Sequence, residues 1–154
     1  MKSTLLWKLV TLQMLVVGAV KLQALRHPIQ ADRRKLAQIL TNLIDNACRY
    51  TPPEGKVAIL SQRSGTTVKI VVLNTCATIP ADELPLLFQR FYRRDKSRSR
   101  ETGGAGIGLA IVKELVEAQG DRVGIASRDG NLHIWFTAPA PVSTARQDAP
   151  ARVT

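Results

Sequence analysis

The sequence predicts a single α/β domain, and three observations predict it. A helical stripe of apolar residues runs through Asp32 to Tyr50, two pairs of β-rich runs flank short turns, and a cluster of glycines leads directly into a second apolar helix. The 154 residues, 45% of them hydrophobic, suffice for one core of about 110 to 125 residues with loose ends.

The first twenty residues stand apart. MKSTLLWKLVTLQMLVVGAV carries Lys2 and Lys8 near its start, and only Thr11 and Gln13 interrupt the apolar run from Leu9 to Val20. Residues 1–20 read as a membrane-anchor-like segment, although the run is short of the roughly 20 residues that a bilayer requires. A buried amphipathic helix or a first strand is the other reading. The domain proper is expected over 21–140, and the Pro, Ala and Ser mix of 141–154 reads as a disordered tail.

Within the domain, Leu36, Leu40, Leu43 and Ala47 recur at helical spacing, with Ile39 and Ile44 at the edges of the stripe. At 100° per residue Asn42, Asn46 and Arg49 share one flank of that helix, so all three point into a crevice beside the core. TPPEG ends the helix. KVAILSQRS and TVKIVVL then read as an antiparallel hairpin about a Gly-Thr turn. A short helix is expected around Glu83 to Phe91, and a longer one from about Gly106 to Gln119, closed by Gly120. DRVGIASRDGNLHIWFTAP gives two further strands about Asp129-Gly130. There Leu132, Ile134 and Phe136 alternate against His133 and Trp135, which makes His133 a solvent-facing strand residue.

Gly103, Gly104, Gly106 and Gly108 run into the helix IGLAIVKELVEAQ. Closely spaced glycines let backbone N–H groups approach an anion, and a helix N-terminus adds partial positive charge, so a phosphate is the natural guest. The lysine-containing phosphate loop is absent, and no strand leads into the glycines, which excludes the P-loop and dinucleotide readings. Six Arg or Lys lie between Arg90 and Arg100, immediately before the glycines. Placed there, the basic run is a candidate lid over a triphosphate. Asn42 and Asn46 supply neutral oxygens of the kind that suit Mg²⁺, Arg49 can reach a phosphate, and Tyr50 can offer a ring to a base. The formal charge of +10 points to an anionic partner, but the paired asparagines give no support to nucleic acid. Cys48 and Cys76 have no metal-ligand spacing and read as small buried thiols.

At these residues the chain resembles a known family. NLIDNACRYTP looks like the N box of sensor histidine kinases, NTCATIPADELPLLFQRFYR like their G1 and F boxes, and GGAGIGLAIVKELVEAQG like their G2 box, over about Ala31 to Pro139. The resemblance implies a two-layer α/β sandwich of the GHKL ATPase type, a mixed sheet covered on one face by helices, with Mg-ATP between helices and lid. It implies that Asn46, with Asn42 in support, binds Mg²⁺ and that Arg49 and Tyr50 contact ATP. Phe88 and Phe91 would help set the lid, and Asn74, Ile79, Arg93, Gly104, Gly106, Ile107, Gly108 and Leu109 would line the nucleotide site. No catalytic side chain is assigned.

The implied partners are a histidine-bearing dimerisation domain in trans and, through it, a response regulator, with the catalytic domain on the cytoplasmic side of a bacterial inner membrane. Two departures stand out. The family's DxGxGIP reads Asn74-Thr75-Cys76-Ala77-Thr78-Ile79-Pro80 here, so the base-reading carboxylate is an amide and both glycines are gone. The second is that nothing between Met1 and Asp32 resembles the phosphoacceptor helix, since His27 precedes a proline. A non-catalytic remnant that binds nucleotide or a partner is therefore the alternative to a kinase domain.

Overall fold

The computed structural model describes residues 20–22, 27–94 and 105–141. Its elements are β1 (Val20–Leu22), α1 (Arg33–Tyr50), β2 (Val57–Ser64), β3 (Thr67–Thr75), a 3-10 helix (Leu84–Phe88), α2 (Gly108–Glu117), β4 (Val123–Arg128) and β5 (Asn131–Pro139). The five strands form one sheet in the order β1-β2-β3-β5-β4. β1 is parallel to β2 and every other pair is antiparallel, so the sheet is mixed, as expected.

Alternation along the strands puts Val57, Ile59, Val68, Ile70, Val72, Leu132, Ile134 and Phe136 on one buried face. Against it α1 packs Ile39, Leu40, Leu43, Ile44 and Ala47, and α2 packs Leu109, Val112 and Val116. The helices thus cover one face, and the result is the two-layer sandwich. Asp32 starts α1 as its N-cap, its carboxylate accepting hydrogen bonds from the backbone N–H groups of Arg34 (2.8 Å) and Lys35 (3.0 Å). At β4–β5 Asp129 (φ 52°) and Gly130 (φ 68°) are both left-handed, as a two-residue hairpin turn requires.

Helix direction positions the site. The Gln30 N–H donates to the Pro139 carbonyl at 2.8 Å, so α1 begins beside the Thr67 end of β3. Its 18 residues rise about 27 Å, and the loop that follows delivers the chain to Val57, which pairs with Asn74. α2 runs the other way, because after it the Arg122 N–H donates to Thr137 Oγ1 at 2.9 Å, near the Thr67 end. The N-terminus of α2 therefore faces the Asn74 end of the sheet.

Three expected boundaries and one burial are corrected. Val20, assigned to the anchor-like segment, is the first residue of β1; residues 1–19 lie outside the described residues. The helix around Glu83 to Phe91 is a 3-10 helix of five residues, since Pro85 removes a backbone donor and Phe91 takes a left-handed φ of 65°. The later helix starts at Gly108, because Gly106 has φ 67° and Ile107 is the N-cap. The two cysteines are free and only half-buried, packed against the core. No helix among the described residues is long and apolar enough to cross a membrane. Beyond Pro141 the tail lies outside them as well.

Candidate functional site

α1 and α2 meet at Asn42. Its Nδ2 donates to the Gln38 carbonyl one turn back (3.0 Å), which turns Oδ1 toward α2. A Cβ on Gly108 would sit 3.3 Å from that oxygen, a tight contact that any larger residue would make by pushing the amide aside. Asn46 lies one turn further along α1, in the direction that the N-terminus of α2 points. It is half-buried and, among the described residues, its side chain makes no hydrogen bond. The first turn of α2 has no side-chain cap, since its N-cap is Ile107. Uncapped N–H groups with the positive end of the helix dipole behind them favour an anion beside Asn46.

Gly106 forms the other wall. Its carbonyl accepts from the Phe91 N–H at 2.8 Å, and the space of its missing Cβ is closed by the Tyr92 carbonyl oxygen (3.1 Å) and Arg93 Cγ (3.3 Å). The run Phe91–Arg93 is thereby clasped against the glycine turn. Two ion pairs brace the clasp: Arg90 with Glu114 of α2, and Arg94 with Glu83 at 2.8 Å. Sequence reasoning counted these arginines as lid charge and missed their acidic partners, which lie eleven and twenty-four residues away with no local signal. Phe91 itself points outward, 74% exposed, whereas Phe88 is half-buried against the core. Gly104 and the rest of the basic run from Lys96 to Arg100 lie outside the described residues.

Asn74 is the one fully buried polar side chain among the described residues, 1% exposed on the inner sheet face between Val57 and Leu132. Its Nδ2 donates weakly to the Thr75 carbonyl at 3.3 Å, and no hydrogen bond to its Oδ1 occurs among the described residues. Ile79, also buried, donates its N–H to Ser127 Oγ at 2.9 Å, which ties the loop after β3 to β4; a lone serine in a strand had not signalled this role. Arg49 is half-buried, Tyr50 half-exposed, Ile107 exposed and Leu109 buried beneath the first turn of α2. Burial pushes both thiols up, Cys48 further through nearby Asp45, while Arg94 and a backbone N–H partly offset the shift at Cys76. The shift favours the neutral thiol at both. No cluster of three His, Cys, Asp or Glu occurs among the described residues, so a cation here would rest on amide oxygens, water and a phosphate, which suits Mg²⁺.

An uncapped helix terminus, paired amides and a clasped basic segment thus meet at one end of a mixed sheet. The model of the histidine kinase-, DNA gyrase B- and HSP90-like ATPases matches residues 31–142. The chain belongs to this family. It is 40% identical over 112 residues to the sensor protein VanS of Enterococcus faecium, covering 73% of this chain and 29% of VanS. The mycobacterial sensor histidine kinase MprB shares the fold, with a TM-score of 0.75 at 24% identity over 90% of this chain and 95% of MprB. ShkA, solved at full length with AMPPNP, aligns with a TM-score of 0.71 at 29% identity over 88% of this chain and 29% of ShkA. The chain spans about a quarter of the length of the curated relatives it matches. What it carries is the ATP-binding catalytic domain of the sensor-kinase type.

Proposed function

We propose that this domain binds Mg-ATP between α1 and the first turn of α2, and presents its γ-phosphoryl group to a histidine on a separate dimerisation domain. From that histidine the phosphoryl would pass to a response regulator. The observation that carries the reading is the pairing of an uncapped α2 N-terminus with half-buried Asn46, whose side chain makes no hydrogen bond among the described residues. Asn46 would hold Mg²⁺ with Asn42 in support, and the metal would supply charge neutralisation at the phosphates. The backbone N–H groups of α2 take the phosphate oxygens, Gly108 permits the approach, and Arg49 and Arg93 add positive charge at the rim. Asn74 faces the base, Tyr50 and Ile107 flank it, and Phe91 holds the start of the basic run beside the glycines. Phosphoryl transfer needs little covalent help from the protein, so positioning and electrostatics suffice, with the acceptor imidazole as nucleophile. On this reading the domain works where ATP is supplied, on the cytoplasmic side of a bacterial inner membrane.

The test is to mix the protein with an isolated histidine-bearing dimerisation domain and γ-labelled ATP. Acid-labile label on the dimerisation domain is the expected result. Nucleotide binding without transfer would instead identify a non-catalytic binding module.

A further inference from the structure

We propose that the outer face of the sheet, the face opposite the helices, docks on an anionic lipid surface. The proposal stands apart from the nucleotide reading, because α1, α2 and the 3-10 helix all pack on the inner face. Strand register sorts the outer face into four rows. Lys56, Thr75, Asn131 and Arg128 form the row nearest the nucleotide end. Ala58, Leu73, His133 and Ala126 follow, with Lys21 at the β1 position of that row. Leu60, Val71, Trp135 and Gly124 come next, and Gln62, Lys69 and Thr137 last.

Apart from Lys21 and His133, the two middle rows are apolar. An antiparallel sheet with one solvated face carries polar residues there, so partly exposed Leu60, Val71, Leu73 and Trp135 mark a surface that awaits a partner. Trp135 lies across β4, its indole Cζ2 only 2.3 Å from where a Gly124 Cβ would stand, and Lys69 Nζ sits 4.2 Å from the ring centroid. Glycine at 124 lets the indole lie down, and the stacked lysine puts a cation directly on the apolar surface.

Charge selects the occupant. Among the described residues no strand contains an Asp or Glu, and exposed cations border the apolar rows on both sides, Lys56 and Arg128 on one and Lys69 on the other. Two acids stand at the ends of the face, Asp129 in the β4–β5 turn and Asp121, which accepts from Thr137 Oγ1 at 3.2 Å. Each is next in sequence to an exposed arginine, Arg128 and Arg122. Rows on one face lie about 7 Å apart, within the Debye length of about 8 Å at physiological ionic strength. A plane of negative charge resting on the apolar rows therefore meets cations at both borders at once. Membrane-surface binding grows with buried apolar area plus attraction to anionic lipid, and this face supplies both. Tryptophan with a neighbouring lysine also suits the headgroup level, the ring on the apolar side and the cation among phosphates.

The test uses the full chain in a Trp7→Phe background, which leaves Trp135 as the only tryptophan. Its fluorescence is followed on titration with phosphatidylglycerol vesicles, with phosphatidylcholine vesicles, and with phosphatidylglycerol vesicles whose acyl chains carry bromine. A blue shift with phosphatidylglycerol and not with phosphatidylcholine, together with quenching by the brominated chains, is the expected result. Lys56→Gln, Lys69→Gln and Arg128→Gln combined should raise the lipid concentration at half-response on the order of a hundredfold. Arg33→Gln, Arg34→Gln and Lys35→Gln combined remove the same charge at the start of α1 and should change it little. Vesicle binding that leaves Trp135 unaltered, or an equal loss in the two triple variants, overturns the proposal. So does a response to polyglutamate in place of vesicles, which would assign the face to an acidic protein. A shift that grows with protein concentration in the absence of lipid would assign it to a second copy of the chain and overturns the proposal as well.

Discussion

Asn74 concentrates the chemistry that is specific to this chain at the scale of single residues. Where the family resemblance implies a carboxylate, this chain buries an amide with both a donor and an acceptor. A carboxylate only accepts, so it takes the adenine amino proton and repels guanine O6, whereas the amide serves either base. Asn74→Asp should therefore raise ATP affinity by about 1 kcal/mol, several-fold, and sharpen the preference for ATP over GTP. Calorimetric titration of both nucleotides into both proteins checks this, and the Asp variant without nucleotide should melt earlier, because its charge would be buried unpaired. His133 gives a pH prediction. Burial and then Arg128 lower its pKa below 6.5, against a smaller opposing pull from Asp129. The folded state resists protonation, so stability is lost as pH falls from above 6.5 through the lowered value. His133→Gln should flatten the fall in Tm between about pH 7 and 5, with only a small effect for so exposed a group. Such roles differ in legibility. Asn42 and Asn46 announced themselves as amides in a helix interior, but Ser127 is one serine among many until β4 and the loop after β3 are brought together.

Elements were legible where one physical signal dominated. The stripe of α1 and the Asp129-Gly130 turn follow from periodicity and from the need for left-handed backbone, and both stand where expected. β1 was legible only as the alternative of a first strand, because three residues at the end of an apolar run have no period of their own. The start of α2 was misplaced because a glycine sequence does not reveal which glycine bends the chain. The structure separates them: Gly106 carries the bend and Gly108 the close approach. Gly106→Ala should cost about 1–2 kcal/mol from its left-handed φ alone, read as a fall in the urea midpoint, and Gly106→Asn should cost less. Gly108→Ala keeps a helical φ and should change the urea midpoint little. It should weaken nucleotide binding instead, because its Cβ displaces the Asn42 oxygen, as a titration at constant Mg²⁺ would show.

At the scale of the whole molecule, the proposed nucleotide end of the sheet gathers Asn42, Asn46 and the first turn of α2, but neither histidine suits the acceptor role: His27 precedes Pro28 and His133 lies in β5. The purified chain incubated with γ-labelled ATP should incorporate no acid-labile phosphate, and phosphohistidine at either position would contradict that. The central claim is that the α2 N-terminus and Asn46 together hold a metal-bound triphosphate. Calorimetric titration of ATP into the full chain and into Asn46→Ala, each with Mg²⁺ and with EDTA, tests it most directly. Binding that requires Mg²⁺ in the native chain and is lost in Asn46→Ala, with the urea midpoint unchanged, is the predicted result. Equal Mg-dependent affinity in the two proteins would contradict it.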